Sequence, residues 1–404
     1  MNKNIVIIGG GIAAVNAIKA IRELDQTSDI HLIQNENYYP YYRIRLTKSL
    51  FEPITIDKLM IQKQDWYEQN KVHLYLGREA VAIDTEKNKV SLDNGIELEY
   101  DQLLLANGAS NAIPKIEGIE KSNVHSIRKL SDIATIRAHV ADKHVILCIG
   151  GGIQNLEAAW AMCSQGKKVT IAEFQDRLMP RQLDAKASEI LQNAVKSNHV
   201  QILLNTAITK ITGTKEANGA VTKNGRLIEC DMVIYSVGIR SNTALYENTP
   251  LEINRGVVVD HHMKTKLDNV YAAGDIAEID GRVGGLWSIA MEQGKIAGYS
   301  IAGKEASYSG TVPVTNMNAF HLSIFSIGDI DENSSDHTLV EESPDDSTYQ
   351  RIFIKNNRIV GAIIIGDPGN NMLIKKFVEN KLPLPDIDFT KTTVEDLIQQ
   401  IKSK

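Results

Sequence analysis

Cysteine is scarce in this chain: among 404 residues only Cys148, Cys163 and Cys230 occur, and no two form a C-x-x-C or similar short pair. That spacing argues against a metal site or a redox-active disulfide, and it leaves each thiol the role of a small buried hydrophobe. A surplus of either charge is missing as well. Lys and Arg number 44 against 50 Asp and Glu, a formal net charge of −6, which supplies no general attraction to nucleic acid or to anionic lipid. Neither a nucleic-acid nor a membrane partner is expected. Long apolar runs are absent from the N terminus, where one lysine and then Ile5 to Ile8 precede a glycine run. This stretch is too short for a signal-peptide core and too early for a spanning helix, so a cytoplasmic location is expected.

What remains is an ordinary globular composition, 43% hydrophobic and 23% charged, in a chain long enough for two or three domains. Its most informative feature is an internal echo. A short apolar strand running into three glycines and then a helix occurs at Asn4 to Gly11 and again at His144 to Gly152, which implies two similar βαβ units. In the first, Ile5 to Ile8 is a β-branched run, Ile12 to Leu24 has helical spacing, and Asp29 to Gln34 reads as the next strand. The second repeats this with Val145 to Ile149, Leu156 to Ser164 and Val169 to Glu173. Between the two, Val72 to Leu76, Lys89 to Leu92 and Ile96 to Tyr100 look like short antiparallel strands inserted in the first domain.

Leu103 to Leu105 forms a third buried strand ending at Ala106-Asn107-Gly108-Ala109, and Met232 to Tyr235 with Ser236-Val237-Gly238-Ile239 mirrors that ending. The second nucleotide unit is therefore expected to be inserted within the first. The implied fold class is α/β: two Rossmann-like three-layer dinucleotide-binding domains, one inserted in the other, plus a small α+β C-terminal domain. The first would occupy 1–112 and 238–308, the second 113–237 and the third 309–404. In the third, strands are expected at His321 to Ile327, Tyr349 to Ile354 and Ile359 to Ile365, and a helix from Asn371 to Asn380. The acidic, Ser-rich stretch Asp329 to Ser347 reads as a solvated loop.

The glycines carry the chemistry. Gly9 permits a tight turn, Gly11 lets the backbone approach a pyrophosphate, and Ala14 is small enough for close helix and strand packing. The phosphate would sit on the helix N terminus. Glu36 stands 27 residues beyond Gly9, about where a carboxylate closing the second strand binds adenosine ribose hydroxyls. The second set is Gly150, Gly152 and Ile153, with Glu173 at a strand end, where a carboxylate accepts the ribose 2′-hydroxyl and repels a 2′-phosphate. NADH is therefore favoured over NADPH. The third position of this motif, usually Gly or Ala, is Asn155, a departure that bears on how tightly NADH is held.

Over nearly its full length the chain resembles the pyridine nucleotide-disulfide oxidoreductase superfamily, in particular its branch without a catalytic disulfide, such as the NADH:rubredoxin oxidoreductases. Several motifs in order carry the resemblance. Pro40-Tyr41-Tyr42-Arg43-Ile44-Arg45-Leu46-Thr47-Lys48 is similar to the segment that passes the flavin. Tyr271-Ala272-Ala273-Gly274-Asp275-Ile276-Ala277 is similar to the second FAD motif, and Leu286 to Gly294 resembles the helix that ends at the flavin ring. The resemblance implies FAD in the first domain, held by Gly9, Gly11, Ala13, Ala14, Glu36, Arg43, Lys48, Ala106, Gly108, Gly274, Asp275 and Trp287. It implies NADH in the second, held by Gly150, Gly152, Ile153, Glu173 and Gly238. Lys48 and Glu157 would form the family's lysine–glutamate pair, orienting the nicotinamide and regulating flavin protonation.

The superfamily's catalytic cysteines have no counterpart here, since Tyr38 to Arg45 stands at their place and no cysteine precedes Cys148. Thiol chemistry at the flavin is disfavoured. The usual Ala-Thr-Gly before the domain crossover is Ala106-Asn107-Gly108. His261-His262 and His321 read as ordinary turn histidines. The resulting expectation is an FAD-dependent NADH oxidoreductase that passes electrons to a small redox protein such as rubredoxin, with Arg43, Arg45 and Lys48 available either to steer an acidic partner or to face the FAD phosphates. Two rivals stand beside it: an NADH oxidase or diaphorase using oxygen or a small quinone, and a flavin- and NADH-binding protein of little turnover, suggested by Gln154 and Asn155. Oligomeric state is not legible.

Overall fold

The structure, a computed structural model, describes residues 2–53, 55–343 and 348–402. It divides into two compact units. The first holds the chain up to Arg45, Pro53–Ala112 and Gly238–Thr311; the second holds Leu46–Glu52, Ile113–Val237 and the chain from Val312 onward.

The first unit is built on a parallel five-stranded sheet in the order Val270–Ala272, Gln102–Leu105, Asn4–Ile8, Asp29–Gln34, Val72–Leu76. Ile5 to Ile8 and Leu103 to Leu105 are buried, as central strands covered on both faces require. The helix Ile12–Leu24 packs on the helix Trp287–Ile301 at unusually close range. A Cβ at Gly294 would lie 2.2 Å from the Ala13 carbonyl oxygen, and one at Gly298 would lie 2.4 Å from that of Ala17. Only glycine lets the two backbones meet there.

Val72–Leu76 departs from expectation: it is a parallel edge strand paired with Asp29–Gln34, not part of the antiparallel insert. Its outer residues are half-exposed, and an edge strand with one wet face has the same alternation as a strand of an antiparallel meander. The antiparallel insert consists of Ala80–Asp84, Lys89–Leu92 and Glu97–Glu99. Where the chain leaves and re-enters this unit, Ala109–Asn111 pairs antiparallel with Ile239–Ser241.

The second unit repeats the pattern with parallel strands in the order Gln201–Leu203, Lys168–Ala172, Val145–Ile149, Met232–Tyr235, Val124–His125. The helix Ile153–Ser164 follows the second glycine turn. Cys148 and Cys230 are buried in this region, and burial raises both thiols to about 12, so they pack as neutral groups.

From Val314 the unit continues into an antiparallel sheet ordered Val314–Ala319, Leu322–Gly328, Arg358–Ile365, Tyr349–Lys355, His337–Glu342. The helices Asn371–Glu379 and Val394–Lys402 bury Ile374, Phe377, Leu397 and Ile401 in one cluster with Ile352, Ile354 and Ile364 of this sheet. The segment read as a solvated loop contains the edge strand His337–Glu342. Its charged, mostly exposed residues conceal it in sequence, and such charges protect a sheet edge from pairing with other chains. Residues 344–347 of that segment lie outside the described residues.

Candidate functional site

The two glycine turns have the same geometry. Gly9 and Gly150 both have φ +106. A Cβ on Gly9 would stand 2.4 Å from the Ala106 carbonyl oxygen, and one on Gly150 would stand 2.3 Å from that of Ser236. Each turn therefore needs glycine for its backbone angle and for the strand beneath it. Gly11 and Gly152 face open space, and each is the N-cap of the helix that follows, with no side-chain cap and no acidic residue in the first turn. Ile12, Ala13 and Ala14 are buried under the first turn, and Ile153 opens the second helix. The helix Trp287–Ile301 likewise begins without a side-chain cap or an early carboxylate. By contrast, the helix Ala185–Ser197 is capped by Asp184. Three helix N termini thus keep their N–H donors for an anion or an electron-rich edge.

Carboxylates flank both turns differently. Glu173 is 9% exposed and accepts from the Gly151 N–H and, at 2.7 Å, from the Gln175 N–H. The side chain in the corresponding place of the first unit is Gln34, whose Oε1 lies against Gly10 and has no hydrogen-bond partner. Glu36 lies two residues further along. Its two oxygens accept from Arg43 at 2.6 Å and from the Tyr41 hydroxyl at 2.7 Å, and the Arg43 guanidinium also covers the Tyr41 ring. A carboxylate has about four acceptor positions, so both Glu36 and Glu173 retain capacity for sugar hydroxyls.

In the first unit Ala106 N–H donates to Ile8 and Gly108 has φ +64. Asn107 exchanges amide bonds with Asn242 and accepts from the Tyr246 hydroxyl. The amide in place of the usual threonine is thus a knot between outgoing and returning chain. Gly274 has φ +82 and donates its N–H to Gln293, while Asp275, half-buried, follows it. Trp287 stacks at a tilt on Tyr42, 5.5 Å between ring centres. Gly238 falls in this unit too, where its carbonyl accepts from Ala112 N–H.

In the second unit Asn155 is 1% exposed. Its Nδ2 donates to the carbonyls of Ile149 at 2.6 Å and Gly150 at 3.0 Å, so the larger side chain is held beneath the turn rather than across it. Lys48 and Glu157 meet within this unit, Nζ to Oε1 3.7 Å. The Thr47 hydroxyl donates to Oε2 of the same carboxylate. Burial pushes the Glu157 carboxyl above the usual carboxylate range, with Thr47 and Lys48 pulling the other way. No group of three His, Cys, Asp or Glu among the described residues is placed to hold a metal, and no described helix is long and apolar enough to cross a membrane.

Residues 3–294 match the model of the pyridine nucleotide-disulphide oxidoreductase family. The chain belongs to that family. Residues 313–382 match the C-terminal domain of rubredoxin NAD+ reductase. Among curated relatives, the nitrite reductase [NAD(P)H] of Bacillus subtilis is 31% identical over 404 residues, all of this chain and 50% of that protein. The NADH-rubredoxin oxidoreductase of Clostridium acetobutylicum is 30% identical over 393 residues, 97% of this chain and 99% of that one. The chain therefore spans half the length of the first relative and nearly all of the second. The crystal structure of the Clostridium enzyme superposes with a TM-score of 0.77 at 29% identity, covering 99% and 100% of the two chains. A ferredoxin reductase from Rhodopseudomonas palustris shares the fold with a TM-score of 0.87 at 22% identity, covering 95% and 96%.

As a member of this family the chain is an NAD(P)H-dependent oxidoreductase with FAD and NADH as its cofactors. The uncapped helices and the unpartnered Gln34 oxygen fit such ligands. Sequence reading passed over Thr47, Gln34 and Gln293. Thr47 and Gln293 lie inside motifs already singled out, whereas Gln34 becomes visible only when the strand registers show that it, and not Glu36, matches Glu173.

Proposed function

We propose that the chain takes electrons from NADH through FAD and delivers them to a small redox carrier protein of the rubredoxin type. The duplicated glycine cradle carries this reading, because two uncapped helix N termini behind open glycines suit two dinucleotides. In the first unit Gly9, Gly11, Ala13, Ala14, Ala106 and Gly108 would receive the FAD pyrophosphate, Glu36, braced by Arg43, its ribose, and Gly274 with Asp275 its ribityl chain. The N terminus of the helix at Trp287 would stabilise negative charge on the flavin. In the second, Gly150, Gly152 and Ile153 would receive NADH, with Glu173 on the ribose. Bound flavin supplies two-electron uptake from NADH and one-electron release to a carrier. Lys48 and Glu157 would orient the nicotinamide and hold a proton beside the reacting rings.

Anaerobic stopped-flow mixing of the FAD-loaded protein with NADH and with NADPH tests the first half. Rapid bleaching by NADH with little by NADPH is expected, and no bleaching by either would remove the assignment. Steady-state turnover with a rubredoxin, compared with oxygen uptake in its absence, tests the second. Oxygen uptake as fast as carrier reduction would favour an oxidase instead.

A further inference from the structure

The short strap Leu46–Glu52 belongs to the second unit although its flanking chain belongs to the first. Within that unit it is fastened by an arginine. Arg137, on the helix Leu130–Val140, donates Nε to the Leu50 carbonyl at 2.7 Å and Nη2 to the Ser49 carbonyl at 2.7 Å, and Nη2 also reaches the Glu52 carbonyl. Three consecutive-turn carbonyls on one planar guanidinium give a fork that lysine cannot reproduce. The supporting helix is itself anchored by buried Ile133, Ile136 and Val140 and by Asp132, whose carboxylate accepts from the Arg128 and Lys129 N–H groups at its start. The strap's own Leu46, Thr47 and Leu50 are buried. Its geometry is therefore set from the second unit's side.

What the strap presents is the Thr47 hydroxyl on Glu157 Oε2, beside Lys48 on Oε1. Glu157 is the one charged residue on its helix Ile153–Ser164. Of the strands packed on that helix, Val314–Ala319 has no ionisable side chain, Val145–Ile149 has only the buried Cys148, and Lys168–Ala172 has only exposed Lys168, at the end away from the glycine turn. The strap's ammonium is therefore the charge the carboxylate meets from its packed neighbours, and the strap's hydroxyl is hydrogen-bonded beside it.

We propose that Arg137 and Thr47 are positioning residues for the redox reaction: Arg137 fixes the strap, and the strap's hydroxyl occupies one Glu157 oxygen so that the other faces Lys48. The inference rests on the reading that Lys48 and Glu157 serve the nicotinamide. Without Thr47 the carboxylate can rotate away from Lys48 and loses a donor that favours its charged form. Without Arg137 the three strap carbonyls must find other donors, and Lys48 loses its fixed position.

The test is flavin bleaching by NADH in the FAD-loaded protein, with limiting rate and NADH Kd measured from acid to alkaline pH. Thr47→Val should lower the limiting rate about tenfold and move its pH dependence upward, and Thr47→Ser should restore both. Arg137→Met should lower the limiting rate with NADH Kd changed less than about twofold, and Arg137→Lys should recover only part. If Arg137→Met does not accumulate as holoenzyme, Arg137→Lys decides alone, and a wild-type rate in it overturns the clamp. Normal rates and pH profiles in Thr47→Val and Arg137→Met, with only a lower Tm, would reduce both residues to structural supports and overturn the proposal. Lys48→Met and Glu157→Gln are run alongside. If those two also leave rate and profile unchanged, it is the role of the pair that fails.

Discussion

At the scale of single residues, Asn155 shows how a motif can be broken in letters and kept in geometry. A glycine or alanine is expected there because the helix must approach the strand closely, and Ala14 obeys that rule in the first unit with full burial. Asn155 meets the same constraint by turning its amide onto two turn carbonyls, at the cost of leaving Oδ1 buried without a partner. Asn155→Ala removes both the bonds and the orphan, so stability should change by only about 1 kcal/mol and NADH should still bleach the flavin. Asn155→Asp places a carboxylate against two carbonyls, which should cost about 3 kcal/mol or more while it stays charged. Its folded-state pKa is then raised, so the loss is largest at alkaline pH and shrinks as pH falls and the group takes a proton. Urea midpoints at pH 8 and pH 5.5 check the sign, and an Asp variant equally stable at both would remove this account. The glycines and Glu173 were legible in sequence because each answers to one backbone rule. Tyr41 and Arg43 on Glu36 were not legible as a set, because their contact depends on how the loop after Gln34 turns back.

At the scale of elements, the contact between the helices Ile12–Leu24 and Trp287–Ile301 joins two motifs separated by most of the chain. The helix at Trp287 can aim its N terminus only from where Gly294 and Gly298 let it sit. Gly294→Ala improves helix propensity by up to about 1 kcal/mol but drives a methyl into the Ala13 backbone, an overpacking cost of about 1–3 kcal/mol. A lower Tm and weaker FAD retention on gel filtration are expected, whereas Lys295→Ala, exposed on the same helix, should change neither. Retention of FAD at parental Tm in the glycine variant would show that the helices can part without consequence. Sequence periodicity located the first strand, helix and second strand of each nucleotide fold and the strands Gln102–Leu105 and Met232–Tyr235, since apolar runs beside glycine turns leave few alternatives, but it passed over the helices Leu130–Val140 and Ala185–Ser197. It misplaced Val72–Leu76 and missed His337–Glu342 for one reason: edge strands owe their place to a neighbour, not to their own pattern.

At the scale of the molecule, the second unit holds together two sheets of different kinds, and a small polar cluster fastens them. Asp184 caps the helix Ala185–Ser197 through Ala187 N–H and also accepts from the Tyr349 hydroxyl at 2.6 Å and from Arg351 at 3.2 Å. Arg351 reaches on to Glu332 at 2.6 Å. The Asp184 and Arg351 side chains are 13% and 14% exposed, so this pair is shielded from salt far more than a surface pair. Apolar contact between the sheets is supplemented by Trp160 against Phe320 and His321. Arg351→Met keeps the bulk of the side chain but leaves Asp184 with Tyr349 as its only side-chain donor among the contacts described and frees Glu332 to solvent. A penalty of about 1–3 kcal/mol follows, and it falls on the attachment rather than on either core. The C-terminal sheet and its two helices have a core of their own, so calorimetry of the variant should resolve a separate transition for them at a lower temperature than in the parent. NADH bleaching of the flavin should persist through that first transition, because the second glycine turn and Glu173 lie in the parallel sheet, and its loss together with the C-terminal sheet would mean that the nucleotide fold depends on that attachment.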